Sequence, residues 1–396
     1  MAQSGMRLLV FSELYYPHVG GSVRWIGKIA EHWPGPARVL AGLTPAGSAR
    51  GTRRDGPVNV QRIWLRMQDW GLDSVRTAAQ YVNAVYHLAL ASAGPSRPDV
   101  IICGRGVPEG FVALLAGRAT GVPYACLVHG EEVTACRRSG QLRLMLRAAY
   151  GGAACVICNS RNSARLAREA GADDRSILVS HPGVDVRAFR GLTDRPPRPA
   201  EGPVVLITVG RLDERKNHAA VLGALARLRS ENLDVRYVIA GDGPMRQRLV
   251  DLSRSLGVDE WVTWIFAGSD ENITEAYSQA DIFVMPATII DGDLEGFGIV
   301  YIEAALAAMP SVAGAHGGCR EAVLDNRTGL VVDGFDDEAV TRAIRTLVVD
   351  AAKRRALGLE GRRRAIEQFD WRMLIPRMAR DVAERAAGKD RGGQSL

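Results

Sequence analysis

The amino-acid sequence predicts an α/β protein built from two successive doubly wound domains, and three observations carry that expectation. The first is length. A chain of 396 residues exceeds what one ordinary core organises, so two domains of roughly 200 residues each are the default. The second is alternation: short apolar runs bounded by turn residues alternate with longer amphipathic stretches, as in a parallel sheet covered by helices on both faces. The third is a break in that alternation, the Pro-dense polar segment DRPPRPAEGP at 194–203. Proline there disfavours both helix and central strand, so an interdomain linker is expected.

Taken in order, the strand-like runs of the first half are RLLVFS (7–12), DVIIC (99–103), YACLV (124–128), CVICNS (155–160) and SILVS (176–180). Helix-like stretches lie at 22–33, 74–92, 108–120 and 161–170, giving a first domain over 1–193. After the linker the alternation restarts with VVLITVG (204–210), RYVIAG (236–241), VTWIFAG (262–268), DIFVMP (281–286), PSVAG (310–314) and GLVVD (329–333). These give a second domain over 204–370. The tail from about Asp337 to Gly388 is helical in pattern, rich in Ala and Arg, and no segment repeats at a fixed short period.

Composition narrows the function classes. Hydrophobic content of 47% and charge of 24% are ordinary for a soluble globular chain. No apolar run approaches the ~20 residues a membrane helix needs, and Met1–Gly5 reads as no secretory leader, so a cytoplasmic protein is expected. The net charge of +6 is mild and almost all arginine, with lysine only at Lys28, Lys216, Lys353 and Lys389. It suits nucleotide phosphates, an anionic membrane surface or solubility alone. The chain carries no Arg/aromatic platform or recognition-helix pattern, which argues against nucleic acid as a partner. Arg143 and Arg147 lie one turn apart among Leu142, Leu144, Met145 and Leu146. That is either a membrane-surface helix or a core-facing helix with a solvated edge. Six cysteines are scattered, and Cys155-x-x-Cys158 falls in a strand-like run. Positions three apart on a strand point to opposite faces, so reduced buried thiols are expected rather than a metal or redox pair.

Ligands of open α/β sheets sit at the carboxyl ends of strands, and four polar elements follow strands here. Gly20-Gly21 comes before a helix that Ser22 opens. Paired glycines let backbone N–H groups approach a phosphate at a helix N-terminus, although a plain turn explains them equally well. No third glycine follows at the spacing of the dinucleotide fingerprint. His129-Gly130-Glu131-Glu132 follows YACLV. A strand-end histidine can donate to a sugar hydroxyl or stabilise developing charge, or be a satisfied structural residue. Arg211 and Lys216, in VGRLDERKN, place two cations at a strand mouth, where they suit a diphosphate leaving group. The alternative is a solvated charged loop.

The fourth element, DGDLEGFGIVYIEAALA at 291–307, is the most informative. If a helix starts near Gly296, Glu295 and Glu303 are separated by a rise of about 12 Å on roughly one side. That exceeds the roughly 5–9.5 Å of a glycosidase carboxylate pair. It suits one extended ligand, sugar at one glutamate and ribose at the other, with a diphosphate between them. IVYIEAALA is nearly all apolar, so Glu303 is expected to be buried and to need a partner. Asp291 and Asp293 invite a metal reading, set aside because no further ligand is evident nearby. Gly241-Asp242-Gly243-Pro244 reads as a strand-to-helix turn with Pro at the first helical position, and its glycines also leave room for a nucleotide.

Together these elements resemble glycosyltransferase family 4, the retaining enzymes of the GT-B fold, over essentially the whole chain. The most specific part is Glu295-GFGIVYI-Glu303, a glutamate, seven residues and a glutamate. It is joined by Gly210-Arg211-Leu212 with Lys216, AGDGP at 240–244, ADIFVMPA at 280–287, GGCREAV at 317–323, Asn159-Ser160, HGEE at 129–132 and Gly20-Gly21. The resemblance implies two Rossmann-like domains facing a central cleft, with 371–396, and in it a helix over 371–387, packing back on the first domain. It implies that Arg211 and Lys216 bind the donor diphosphate, that Glu303 binds the ribose, and that Glu295 with the Phe297–Gly298 backbone holds the hexose. Gly296, Ile299, Gly210, Gly241, Asp242 and Gly243 belong to the same implied donor site, and Gly20–Gly21 would touch phosphate. His129 would line the reacting centre, with Glu131 and Asn159 on the acceptor side.

The family implies no metal and no cofactor beyond the donor, GDP-mannose or a UDP-hexose. Retention is ascribed to front-face attack, with the leaving phosphate helping to deprotonate the acceptor hydroxyl. The LEGFGIVYIEA run looks nearest to bacterial mannosyl- or glucosyltransferases acting on glycan, glycolipid or lipid-linked acceptors in cell-surface polysaccharide or glycolipid synthesis, with peripheral association at the inner membrane face. The rivals are a nucleotide-sugar 2-epimerase or hydrolase on the same fold, and a non-catalytic nucleotide-sugar-binding protein. Oligomeric state is not legible.

Overall fold

The structure, a computed structural model, describes every residue except 1–4, 19, 44–50, 56–57, 66–69, 190, 192–201, 267–269 and 393–396. Two compact units result, residues 1–182 with 371–396 and residues 183–370. The division falls at Pro182–Gly183 rather than after residue 193. The reason is local: the Val184 N–H donates to the Phe369 carbonyl at 2.7 Å and Val184 bridges Asp370, which ties this stretch to the second unit. Most of the expected linker, 194–201, lies outside the described residues.

In the first unit the strands are β1 (Leu8–Ser12), β2 (Ala37–Gly42), β3 (Gly51–Asp55), β4 (Val58–Ile63), β5 (Val100–Cys103), β6 (Tyr124–Val128), β7 (Cys155–Cys158) and β8 (Ile177–Val179). They form one sheet in the order β3-β4-β2-β1-β5-β6-β7-β8, parallel except for β3 against β4. Four of the five runs read from sequence are the fully buried strands β1, β5, β6 and β7, and the fifth, β8, is the edge strand with Val179 exposed. β2 to β4 escaped that reading. β4, VNVQRI, alternates buried and exposed residues as a half-covered strand does, so it presents no continuous apolar run.

The helix Trp371–Gly392 belongs to this unit, and its sequence spacing explains why. Trp371, Ile375, Met378 and Val382 recur at helical spacing and enter the core that holds Trp25 and Ile29. Each such buried side chain contributes about 1.5–3 kcal/mol. The arginine-flanked helix Gly140–Gly152 turns Met145, Leu146, Ala149 and Tyr150 inward and leaves Arg143, Leu144 and Arg147 exposed. Its core-facing reading therefore accounts for most of its apolar residues. All six cysteines are buried and free, with Cys155 and Cys158 at the two ends of β7.

The second unit carries β9 (Val204–Val209), β10 (Val235–Ala240), β11 (Val262–Ile265), β12 (Ile282–Met285), β13 (Ser311–Gly314) and β14 (Gly329–Val332). All pairings are parallel, in the order β11-β10-β9-β12-β13-β14. The chain winds one way from β9 to β11 and then returns to the other side of β9. Winding reverses in the same way at β1 and β5 in the first unit. At such a reversal the loops after the two central strands part and leave a crevice. Each unit thus offers one, bordered by the loops after β1 and β5 and by those after β9 and β12.

Candidate functional site

At the β9–β12 crevice, β9 leads into Gly210, Arg211 and a short turn Glu214–Lys216, and the helix His218–Ser230 follows. Lys216 is buried, and its ammonium lies against the Glu295 carboxylate. The second cation on that carboxylate is Arg215, with Nη1 at 2.9 Å from Glu295 and Nε at 3.0 Å from Asp293. Arg211 does not join them. Its side chain is 70% exposed and pairs with Asp213 at 3.3 Å. The expected Arg211–Lys216 pair is therefore split, and Arg215 takes the inner place. The sequence signal was available, since Arg215 adjoins Lys216 in ERKN, but a residue beside a motif carries no distinguishing mark.

Burial pushes the Glu295 carboxyl up, but Lys216 and then Arg215 outweigh it and hold the group at about 2. Glu295 is thus a carboxylate, only 12% exposed and acceptor-only, at every physiological pH. Its loop is fixed from behind. The Gly318 N–H donates to the Glu295 carbonyl at 2.9 Å, and a Cβ on Gly317 or Gly318 would fall 2.2 Å or 2.0 Å from the carbonyl of Glu295 or Gly296. Only a glycine pair allows that approach.

The helix that follows runs Ile299–Leu306 and is capped by Gly298 in the left-handed region at φ 84°. Glu295 therefore lies in the loop, four residues before the helix, and the 12 Å helical ruler between Glu295 and Glu303 does not apply. Gly298 marks the start of the helix: its carbonyl accepts from the Tyr301 N–H at 3.0 Å, while its left-handed backbone turns the preceding residues off the helical path. Glu303, within the helix, is buried as expected, and its partner is the Tyr277 hydroxyl, which donates at 3.2 Å. Phe297 turns its ring into the core against Phe369, so only its backbone remains for a ligand.

Asp291, Gly292 and Asp293 form a tight turn closed by paired hydrogen bonds between Ile290 and Asp293. Asp293 is engaged by Arg215. Among the described residues no group of three or more His, Cys, Asp or Glu side chains is placed to hold a metal ion. The 241–244 turn is built for close packing. A Cβ on Gly241 would meet the Gly210 carbonyl at 1.9 Å and one on Gly243 the Leu212 backbone at 2.7 Å. The Asp242 side chain stays local, accepting from the Gly243 N–H at 2.8 Å. The next helix starts at Arg246 with Met245 as its cap, so Pro244 precedes the helix instead of opening it.

In the first unit, Gly20 caps the helix Gly21–His32 at φ 155°, with no side-chain cap and nothing within 4 Å of where its Cβ would be. An uncapped, open helix N-terminus presents free N–H groups. His129 stands at the end of β6, edge-on to Trp25 with ring centroids 5.6 Å apart. Its Nε2 lies 2.9 Å from the Gly104 carbonyl. A carbonyl only accepts, so Nε2 donates to it. Asn159 supports it from below, donating Nδ2–H to the His129 carbonyl at 3.2 Å. Glu131 is exposed, whereas Glu132 is buried and accepts the backbone N–H groups of His129 and Gly130, each at 3.0 Å.

A second cluster here was missed by sequence reasoning. Arg105, in the loop after β5, lies 3.4 Å from Glu13 and 3.3 Å from the fully buried Glu109, with Trp70 over its guanidinium at 5.0 Å. The Glu13 N–H also donates to Glu109 at 2.9 Å. The strand-end criterion applied to the other loops would have found GRGVPEG at 104–110, directly after VIIC.

Comparison with known proteins places these geometries. The family model described as glycosyl transferases group 1 matches residues 192–364, and the glycosyl transferase 4-like domain matches residues 20–183. A GDP-mannose-dependent alpha-(1-6)-phosphatidylinositol monomannoside mannosyltransferase of Mycolicibacterium smegmatis is 33% identical over 298 residues, covering 71% of this chain and 75% of the relative. A D-inositol 3-phosphate glycosyltransferase of Geodermatophilus obscurus is 33% identical over 234 residues, 56% of this chain and 50% of the relative. Among solved structures, sucrose-phosphate synthase of Thermosynechococcus elongatus aligns with a TM-score of 0.77 at 20% identity, over 96% of this chain and 100% of the other. Anabaena HepE in complex with UDP aligns at 0.75 and 18% identity, over 96% and 100%.

Proposed function

Because the chain belongs to glycosyltransferase family 4 and has the GT-B fold, we propose that it is a retaining hexosyltransferase. It moves mannose or glucose from a nucleotide sugar to a glycolipid or lipid-linked glycan. The observation that carries this reading is the Glu295 carboxylate held ionised by Lys216 and Arg215 at the β9–β12 crevice. An ionised, water-poor carboxylate accepts strong hydrogen bonds from hexose hydroxyls. Lys216 and the exposed Arg211 meet the charge that grows on the departing diphosphate. Glu303 serves the ribose, and the backbone at Gly296–Ile299, with Gly210 and the 241–243 turn, lines the donor.

The first unit supplies the acceptor side, with Gly20–Gly21 offering N–H groups to phosphate and His129 lining the reacting centre. Since the leaving phosphate itself helps to deprotonate the acceptor hydroxyl, no side chain has to act as covalent nucleophile. Mannosyl transfer from GDP-mannose is the favoured reaction, because relatives 33% and 30% identical over 71% of this chain are GDP-mannose-dependent mannosyltransferases. The charge on the diphosphate is met by side chains, so turnover is expected to proceed unchanged in EDTA.

A panel of GDP-mannose, UDP-glucose, UDP-N-acetylglucosamine and UDP-galactose, scored by donor hydrolysis, tests the donor, and NMR of the product anomer tests retention. Turnover of none of the four, or an inverted product, would overturn the proposal. No helix among the described residues is long and apolar enough to cross a membrane. Peripheral attachment through Arg143, Leu144 and Arg147 is the accompanying proposal, and salt-insensitive or absent binding to anionic vesicles would refute it.

A further inference from the structure

The second unit contains a cavity of about 650 Å³ that the donor residues do not enter, since Lys216, Glu295 and Glu303 do not line it. That volume suits a small organic ligand. Its wall begins with the other side of the Lys216 loop, at Asp213, Glu214, Asn217 and His218, and continues along the helix Arg246–Ser255. Leu249, Leu252 and Ile290 provide apolar surface, and the exposed ring of Phe335 stands at its edge.

Two features ask for a ligand. The first is His218, 2% exposed, whose Nδ1 and Nε2 are both buried without a hydrogen-bond partner. A buried donor and acceptor left unmet destabilise the fold unless a partner is supplied. Burial, with the charge of Lys216, holds this imidazole at about 3, so the ring is neutral and one nitrogen is free to accept. The second is charge. Four carboxylates, Asp213, Glu214, Asp251 and Asp337, line the cavity against one cation, Arg248. Asp213 and Asp251 are neutralised by Arg211 and Arg254, but Glu214 and Asp337 have no cationic partner among the described residues. The surplus is negative, and Phe335 adds an aromatic face that attracts cations.

We infer that this cavity is a second binding site, separate from the donor residues, for a small organic cation with an apolar body. Its ammonium lies between Glu214 and Asp337, its body rests on Leu249, Leu252 and Phe335, and a turn of the buried His218 ring toward the cavity brings a nitrogen to an N–H or hydroxyl of the ligand. Three probes share one aromatic body and differ in charge: tyramine, 4-ethylphenol and 4-hydroxyphenylacetate. Titrated into the full chain, tyramine is expected to bind and to shift the His218 imidazole resonances. The neutral and anionic analogues should bind roughly three- to tenfold more weakly, the range for one or two partly exposed charge pairs.

Glu214→Gln with Asp337→Asn, two surface changes that leave the core intact, should bring tyramine down to the level of 4-ethylphenol. His218→Phe should weaken tyramine in a protein that still melts cooperatively. Equal affinity for the three probes, tyramine binding unchanged in the double carboxylate variant, unshifted His218 resonances, or no tyramine binding at about 10 mM would each overturn the inference.

Discussion

Two glutamates, the largely buried Glu295 and the fully buried Glu132, sit beyond the carboxyl ends of parallel strands, one in each unit, and their carboxyl groups are pushed in opposite directions. For both, burial is the largest influence and favours the neutral acid. Glu295 also faces Lys216 and Arg215, and falls to about 2. Glu132 has the His129 ring and backbone N–H groups as partners, and its carboxyl stays above the usual range. The difference teaches that a strand-end acid is not a site by position alone. Two fixed cations make Glu295 a permanent hydrogen-bond acceptor, whereas Glu132 uses its oxygens to hold the HGEE loop that carries His129.

The largest expected effect comes from removing a cation on the Glu295 side. Lys216→Ala should lower kcat by roughly 10²–10³, the cost of losing one donor to developing charge in a preorganised site. Lys216→Arg should recover only part of it, because a planar fork does not replace a point charge. Steady-state kinetics with the preferred donor check this, and an activity within twofold of wild type in Lys216→Ala would remove the asymmetry between the two acids.

Next comes the pH dependence of stability. Because the folded pKa of Glu295 lies below the usual glutamate value of 4.5, its contribution is present above pH 4.5 and is lost as pH falls toward 2. The shift corresponds to roughly 3 kcal/mol. Denaturant melts between pH 5 and pH 2 should show that loss, and Glu295→Gln should flatten it. Glu132 has the opposite sign: its raised carboxyl favours the folded state at low pH, so stability falls as pH rises through its folded pKa. Glu132→Gln keeps an acceptor oxygen for the loop. It should change stability by only about 1–2 kcal/mol, and a smaller slope above pH 5 is its signature.

Arg211→Ala should be the mildest of the donor-side changes. The side chain is mostly exposed and already paired with Asp213, so KM for the donor should rise by about tenfold or less while melting temperature stays put. A collapse of kcat instead would mean that Arg211 acts on the reacting charge as Lys216 does.

The fold was legible because fully buried parallel strands such as VIIC and YACLV announce themselves as apolar runs. The alternating β4 did not, and neither did the attachment of Val184 to Phe369, which joins segments far apart in sequence. At the site, Glu295, Lys216 and the burial of Glu303 could be read from spacing and surroundings. Their partners could not. That Arg215 rather than Arg211 reaches Glu295, that Tyr277 meets Glu303, and that the helix begins only after Gly298 are consequences of backbone turns. One motif letter does not encode them. His129 was found, but not its partner, the Gly104 carbonyl, which the topology brings to it from the neighbouring strand end.

The central claim, that the ionised Glu295 held by two cations is what the donor sugar meets, is tested most directly by turnover of Glu295→Gln beside wild type. The two are compared at pH 7 with the preferred nucleotide sugar, with circular dichroism confirming that both are folded. The account predicts kcat lower by about 10²-fold or more in a folded variant, because the amide keeps the shape but loses the charge. A folded Glu295→Gln with kcat within twofold of wild type would contradict it.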